Sequence, residues 1–387
     1  MRRTWILLAI LQVVAATAQA QIGKSVLVTA NTPEDKALGE IYNAPDGPEK
    51  VALLDKFMAD YGKGDLELLG DQLYVNTYLA QKNYAKVFEY GQKALTLDAD
   101  NFSTAVNMVH AADEMSDTSK LFDAGERVAA ILARYKVAPA PAGTSARSWE
   151  TIKAENITSS AQDINYVEYA LFNAAYKTAN PSNKAALMER YATAFPDSPN
   201  TANAREAAAF AYQQAQQYPK MLETAQKVLA GDPDNATMMV LLADYWSEKG
   251  QAAQLDKAGE YARKALDLLG QAKKPEGVSD DQWKQQITLQ KGLAYSSLGQ
   301  VYANSGKNTE AVNAFKQANP LLKSNATSYG RNLYRLGFTL AKMKQIPEAR
   351  TVLTEAVSID SPYKGLAQQT LDKIGGAVAA GTRKSKS

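Results

Sequence analysis

The chain of 387 residues has no cysteine and a single histidine, His110. Without thiols it cannot form disulfides, cysteine-ligated zinc sites, a thiolate nucleophile or a lipid-attachment cysteine. A Ser-His-Asp triad would depend on His110 alone, and the sequence has no Gly-x-Ser-x-Gly turn to expose a serine. We therefore expect no catalytic residues, no bound metal and no cofactor, and we predict that the protein is not an enzyme.

The chain also has almost no net charge. The sequence has 43 Lys plus Arg against 41 Asp plus Glu, and removal of residues 1–20 would take away two arginines and leave a formally neutral chain. Affinity for nucleic acids comes largely from Lys and Arg side chains that neutralise phosphates. The composition therefore predicts no nucleic-acid partner. Residues 377–387 end in a locally basic stretch, which we interpret as a disordered, solubilising tail.

The first twenty residues have the features of an export signal. Arg2 and Arg3 precede an apolar run from Trp5 to Ala16, and Ala18-Gln19-Ala20 supplies a small-x-small cleavage site. The apolar run is shorter than the roughly 20 residues that a membrane-spanning helix needs. The sequence therefore predicts export to the periplasm or the exterior, no integral membrane span in the mature chain, and an extended N-terminal segment at 21–33.

Helix-forming residues dominate the remainder of the chain, and alternating β-branched residues are rare. Helical chains of this kind are often built from repeats. Aligning the chain with itself so that 47–149 matches 181–283, without a gap, gives 25 identities in 103 positions. We interpret this match as a tandem duplication.

A shorter unit recurs near the C-terminus. It has the form Tyr-x-x-Leu-Gly-x-x-Tyr followed by Ala-x-x-x-Phe-x-x-Ala, and a variant of it follows in the next stretch of the chain. The first unit consists of Tyr295, Leu298, Gly299, Tyr302, Ala311, Phe315 and Ala318, and the second of Leu333, Leu336, Gly337, Leu340, Ala349, Leu353 and Ala356. Small residues at these positions let two helices approach closely, while larger side chains fill the space beside them.

These units resemble the tetratricopeptide repeat, a helix-turn-helix of about 34 residues. The resemblance implies an all-α fold, a right-handed superhelical solenoid of antiparallel helix pairs. It predicts about seven pairs over residues 34–360, including weaker pairs at 101–136 and 161–195. A capping helix is expected at 361–376, ending at the glycine pair Gly375-Gly376.

The same resemblance implies a binding site. In tetratricopeptide arrays the first helix of each pair lines a concave groove that holds an extended peptide or a partner helix. Helical spacing places these candidate residues on that face: Gln72, Asn76, Phe210, Gln213, Asp244, Gln300, Asn304, Arg331, Arg335, Phe338 and Lys342. Amide side chains can pair with a peptide backbone, and the basic residues at one end would favour an acidic ligand segment. We therefore predict a non-enzymatic scaffold or adaptor of the cell envelope that binds other envelope proteins or peptides.

Arg331 and Arg335 also resemble half of the clamp with which cytosolic tetratricopeptide cochaperones hold the acidic C-terminus of a chaperone. The other half is absent. Val240, Asp244 and Ser297 stand where that clamp uses Lys and Asn, and Asp244 would repel a carboxylate. This departure argues against a clamp of that type.

The main alternative is a module that binds envelope glycans or peptidoglycan. The motif Pro-x-Gly-x-Ser-x-x-x-Trp occurs twice and ends at Trp149 and Trp283, and aromatic faces contact sugar rings and proteins alike. The structural interpretation is that each motif ends a loop and starts a helix, with Ser279 as an N-cap.

Two further similarities point to other classes of protein. Superhelical lytic transglycosylases combine a helical array with a catalytic domain, but the helix pairs here leave no room for one. Helical lipoproteins of outer-membrane barrel assembly share the short motif Phe195-Pro196-Asp197-Ser198-Pro199.

Other polar residues have structural interpretations. His110 lies in an apolar helical run and is expected to pack there. The pairs Asp98/Asp100 and Asp232/Asp234 fall at turns that precede a helix, where Asp and Asn cap the next helix, so we do not interpret them as calcium ligands. The sequence leaves the oligomeric state open.

Overall fold

A computed structural model describes residues 22–383, with side chains up to residue 375. The predicted signal peptide and residues 384–387 lie outside the described residues. The described part forms eighteen helices and no strand: α1 Pro33–Asn43, α2 Pro48–Tyr61, α3 Asp65–Ala80, α4 Tyr84–Leu97, α5 Phe102–Glu114, α6 Thr118–Val137, α7 Ala146–Ser159, α8 Ala161–Lys177, α9 Pro181–Ala194, α10 Thr201–Gln214, α11 Tyr218–Gly231, α12 Ala236–Lys249, α13 Ala252–Gln271, α14 Asp280–Asn304, α15 Asn308–Leu322, α16 Ala326–Lys342, α17 Ile346–Ser358 and α18 Lys364–Arg383.

Chain order groups these helices into eight helix-turn-helix pairs, with α7 and α18 as single helices. The sequence predicts about seven pairs over residues 34–360, and the described helices form eight. Neighbouring helices pack against each other, as α3 does on α4, α12 on α13, and α14 on α15. The chain divides into two compact units, unit 1 up to Ala204 and unit 2 from Arg205. No helix in the described range is long and apolar enough to span a bilayer.

The shift that aligns 47–149 with 181–283 in the sequence also relates the helix limits. It places the first and last residues of α4 on those of α11, and the first and last residues of α6 on those of α13. Left-handed backbone positions follow the same shift, as Lys82 (φ 57°) pairs with Gln216 (φ 56°) and Gly143 (φ 85°) with Gly277 (φ 81°). The two copies therefore share these turn conformations even where residue types differ, whereas the left-handed Gly64 (φ 58°) has no left-handed counterpart at Ser198.

Side-chain caps explain where many helices begin. Asn101 accepts a hydrogen bond from the backbone N–H of Thr104 at 3.1 Å, and Asn235 accepts one from Met238 at 3.0 Å. The preceding Asp98 accepts from the N–H of Asp100 at 3.1 Å, which shapes the turn. The aspartate pairs are thus capping turns, as the sequence predicts. Within residues 22–383, no group of three or more potential metal-binding side chains occurs.

Small residues and large side chains pack between paired helices. In unit 2, a Cβ built on Gly299 would lie 2.6 Å from the ring of Phe315, and one on Gly337 would lie 2.6 Å from Leu353. Phe315 and Leu353 are fully buried. The spacing of small residues read from the sequence therefore marks the contact surfaces of α14 with α15 and of α16 with α17.

The two copies differ at one helix. α14 runs unbroken for 25 residues, whereas the corresponding stretch of the first copy breaks at Ser160 into α7 and α8. Three hydroxyl residues, Thr158 to Ser160, occupy the break, and the side chains of Thr158 and Ser159 bond to backbone carbonyls within α7. Such bonds compete with helix propagation, so the first copy gains one extra helix.

The C-terminal helix extends further than expected. The sequence predicts that the capping helix ends at Gly375-Gly376, but α18 continues to Arg383 and includes residues 377–383, which were expected to be disordered. Glycine inside a helix costs only about 1 kcal/mol relative to alanine. The alanines that follow the glycine pair are the strongest helix formers, so they offset this cost.

Candidate partner-binding site

The predicted groove residues of unit 2 lie on α12, α14 and α16, and two of them are joined by a double hydrogen bond. Arg331 on α16 donates from Nη1 and Nη2 to the two carboxylate oxygens of Asp244 on α12, at 3.0 and 2.8 Å. Both side chains are 14% exposed. Ser297 on α14, between these helices, donates to Asp244 at 3.4 Å. This ion pair links α12 and α16, which are separated in the sequence and both pack against α14.

Arg335 forms a second ion pair one helical turn further along α16. Its guanidinium binds the carboxylate of Glu248 on α12 and donates to the hydroxyl of Ser296 at 3.4 Å. The side chain of Arg335 is only 6% exposed, whereas that of Glu248 is 47% exposed. Unit 2 therefore holds two parallel arginine–carboxylate pairs between α12 and α16.

Burial and charge act in opposite directions on these arginines. Burial, the largest single influence, lowers the pKa of Arg331, but the charges and hydrogen bonds of Asp244 and Tyr363 together outweigh it and raise the pKa. For Arg335 burial dominates and lowers the pKa, with Asp244 acting against it. A buried arginine needs a carboxylate partner because an uncompensated charge in the interior is costly.

These pairs change the expected chemistry of the groove. The sequence predicts that Arg331, Arg335 and Lys342 together favour an acidic ligand. Instead, Asp244 and Glu248 already neutralise the two arginines, and of the three cations only Lys342 is exposed. The expectation did not account for Glu248, which lies one turn beyond Asp244 on the same face of α12. Attraction of an acidic segment therefore depends on Lys342 alone.

Amide side chains form a short chain of hydrogen bonds beside the ion pairs. Gln300 donates from Nε2 to the Oδ1 of Asn304 at 2.9 Å, and Asn304 donates from Nδ2 to the carbonyl of Ser247 at 2.8 Å. Asn304 is exposed and Gln300 is partly exposed. Each amide keeps further donor or acceptor capacity, so this edge can pair with the backbone of a bound segment.

An open cavity of about 400 Å³ lies where these groups meet. Five predicted residues line it: Gln300, Asn304, Arg335, Phe338 and Lys342. Phe338 is 51% exposed there, and Leu366 at the start of α18 is 43% exposed. We call this space the unit 2 cavity. It combines an apolar surface with amide groups and one exposed ammonium group.

Other lining residues were missed by sequence reasoning. They are Glu248, Ala303, Asn308, Tyr334, Thr339, Tyr363 and Leu366. Tyr363 and Leu366 belong to the C-terminal cap region, which the repeat pattern assigns to stability alone, so no sequence signal indicates them. Glu248 had a signal, because the duplication matches it with Glu114 in the first copy.

The remaining predicted groove residues do not line this cavity. Phe210 and Gln213 lie on α10 and are partly exposed. Gln72 and Asn76 lie on α3 in unit 1, where Asn107 of α5 donates to the Oδ1 of Asn76 at 2.7 Å. Within unit 2, the structure thus brings together the candidates of α12, α14 and α16.

The two tryptophans of the alternative hypothesis lie in the first turns of α7 and α14. Trp149 is partly buried, stacks edge-on against Tyr135 at 5.7 Å, and donates from Nε1 to the carbonyl of Ala138 at 2.8 Å. Trp283 is also partly buried. The indole N–H of Trp149 is therefore engaged within unit 1.

The serines of the same motif act as the predicted caps. The hydroxyl of Ser279 accepts a hydrogen bond from the backbone N–H of Gln282. The side-chain oxygen of Gln282 in turn accepts one from the backbone N–H of Ser279. Ser145 accepts from the N–H of Ser148 at 3.1 Å. Both motifs thus end a turn and begin a helix.

His110 packs against an aromatic ring. It stacks on Tyr166 with ring centroids 4.1 Å apart, and the hydroxyl of Tyr166 donates to Asp113 at 2.8 Å. This position agrees with the packing role expected from the sequence.

Comparisons with known proteins give a short match and two distant structural similarities. The family model described as tetratricopeptide repeat matches residues 293–319. No curated protein matches the chain. Yeast Tom70 is similar at 12% identity and a TM-score of 0.37, over 92% of this chain and 68% of that one. The TPR domain of P58(IPK) is similar at 11% identity and a TM-score of 0.32, over 90% and 99%. The matched stretch 293–319 contains Gln300 and Asn304 of the unit 2 cavity.

Proposed function

We propose that this protein is a non-enzymatic scaffold of the cell envelope and that the unit 2 cavity holds a segment of a partner protein. One observation carries the proposal: residues of two successive repeats, chosen from the sequence as groove-facing, line the same open cavity. The repeat match at 293–319 covers the first of these repeats. Export is supported by the composition of the first twenty residues.

The cavity offers contacts that suit an extended peptide. Phe338 and Leu366 present apolar surface, and burial of such surface is the main favourable contribution to association. Gln300 and Asn304 can bond to backbone N–H and C=O groups of the ligand. Because Glu248 neutralises Arg335, the partner segment should be selected by an apolar side chain rather than by acidic residues.

Site-specific photocrosslinking tests this function in the native envelope. The variant Phe338→benzoylphenylalanine places the reactive group inside the cavity, and Tyr176→benzoylphenylalanine on α8 places it at a comparably exposed aromatic position of unit 1. Phe338 is 51% exposed and Tyr176 is 62% exposed. We expect a defined protein adduct from position 338 and none of the same mass from position 176.

A second variant makes the test specific to the cavity. Asn304→Ala in the Phe338→benzoylphenylalanine background should lower the adduct yield about fivefold, in line with the loss of one hydrogen bond of roughly 1 kcal/mol. Lys323→Ala, an exposed change outside the cavity lining, should leave the yield unchanged. Equal adducts from positions 338 and 176, or none from 338 in a folded protein, would contradict the proposal.

A further inference from the structure

The two units carry opposite charge although the chain as a whole is nearly neutral. Residues 22–204 hold 24 acids and 17 bases, and residues 205–387 hold 17 acids and 24 bases. Their formal charges are therefore −7 and +7. Charge asymmetry of this size between two halves of a chain points to charged partners on each side.

The asymmetry is concentrated at the two ends of the chain. Residues 34–71, which span α1, α2 and the start of α3, hold ten acids and four bases. Residues 331–387 hold ten bases and four acids. The two ends thus have equal and opposite formal charges of −6 and +6.

At the acidic end, exposed carboxylates surround an open groove between α1 and α2. Glu40 and Glu49 line this groove of about 660 Å³ together with Leu53 and one exposed cation, Lys36, so its charged lining is net acidic. Both glutamates are exposed and form no ion pair within the described chain. Tyr42 on α1 is 61% exposed and adds apolar surface.

At the basic end, the cations are exposed as well. Arg331 and Arg335 bind Asp244 and Glu248 internally, so they do not contribute to this surface. The cations that are exposed and have no ion pair within the described chain are Lys342, Lys344, Arg350, Lys364 and Lys373. Leu366, 43% exposed on α18, lies among them in sequence.

We propose that the partner of each end is a second copy of this chain: the α1–α2 face of one copy binds the α17–α18 face of the next. Opposite charges attract across this contact, whereas two acidic ends or two basic ends repel each other. A contact between two different surfaces is heterologous, so it can be repeated and produces open chains or rings. The contact does not use Phe338, but its basic face shares Lys342 and Leu366 with the unit 2 cavity, whereas the residues changed in the tests below lie outside the cavity lining.

Sedimentation velocity of residues 21–387 tests the association. At about 25 mM salt the average sedimentation coefficient should rise with protein concentration, and at about 500 mM salt it should return to the monomer value, because salt screens exposed charges. A protein that remains monomeric at low salt over the accessible concentration range would overturn the proposal.

Charge reversal at each end distinguishes the proposed contact from a symmetric one. Glu40→Lys/Glu49→Lys removes the acidic face, and Lys364→Glu/Lys373→Glu removes the basic face. Each variant alone should be monomeric. A mixture of the two should form dimers and larger species, because the native acidic face of one variant meets the native basic face of the other and the two reversed faces are complementary as well.

A matched control carries the same change in net charge as Glu40→Lys/Glu49→Lys, but at other sites. Glu155→Lys/Glu276→Lys alters two exposed residues outside both faces and should associate like the unmodified protein. Self-association of either end variant, or failure of their mixture to form dimers while circular dichroism shows both folded, would refute head-to-tail binding.

Discussion

Asp71 on α3 is a carboxylic acid with only 3% of its surface exposed. Burial raises its pKa to about 6, with Lys93 acting to lower it and Glu67 to raise it. The folded state therefore holds the proton more tightly than the unfolded state. Stability from this group is fully present below its ordinary pKa of about 4 and is lost as the pH rises through about 6.

The variant Asp71→Asn should remove this pH dependence. At pH 8 it is expected to raise the free energy of unfolding by about 3 kcal/mol, because the pKa is raised by about two units and each unit corresponds to roughly 1.4 kcal/mol, and near pH 4 it should have little effect. Urea unfolding at the two pH values measures the difference. The exposed Asp60→Asn serves as control, and an equal effect of both variants would contradict the assignment to burial.

The ion pairs of Arg331 and Arg335 show a limit of sequence reasoning at the residue scale. Helical spacing puts these arginines and Asp244 on the groove-facing side of their helices. It could not show that Asp244 and Glu248 bind them, because the partners of each pair are far apart in sequence. The distance in space between each arginine and its carboxylate follows from how α12, α14 and α16 stack, which the repeat pattern alone does not specify.

At the scale of helices, the fit between Gly299 and Phe315 yields a second prediction. Gly299→Ala places a Cβ 2.6 Å from a fully buried ring, so we expect it to lower the free energy of unfolding by about 2 kcal/mol through overpacking. Gly39→Ala on α1 meets nothing within 4 Å and should raise it by up to about 1 kcal/mol, because alanine favours helix. Chemical denaturation compares them. If both changes stabilise the protein, the close contact of α14 with α15 does not limit residue size at position 299.

Helix existence was more predictable than helix limits. The small-residue spacing and the Asn and Asp turns predicted α14 to α17 and the starts of α5 and α12. The break at Ser160 falls where the predicted pair 161–195 begins, although serine and threonine are tolerated within helices and the local balance decides. The continuation of α18 past Gly375-Gly376 depends similarly on the residues that follow the pair.

At the scale of the whole molecule, two compact units built from repeats should not unfold as one block. In repeat proteins each element contacts only its neighbours, so stability is the sum of local contributions. We expect the urea transition to be broader than that of a single domain of this length, with different midpoints for the two units.

Tryptophan fluorescence can follow the units separately. In a chain that starts at residue 21, Trp149 reports on unit 1 and Trp246 and Trp283 report on unit 2. The variant Trp246→Phe/Trp283→Phe leaves Trp149 as the sole reporter, for unit 1. The variant Trp149→Phe leaves only the two tryptophans of unit 2. Coincident midpoints from both variants and from circular dichroism would show one cooperative transition and contradict the expectation.

The paired left-handed positions have a consequence for the history of the chain. Lys82 and Gln216 keep the same backbone angle with different side chains, and Ser116 matches Gly250 in the same way. We interpret the two copies as products of a duplication, after which these turn conformations were retained while residue identity drifted. Evolutionary relatives should therefore be recognisable by the spacing of left-handed residues and helix lengths after their sequences have diverged beyond alignment.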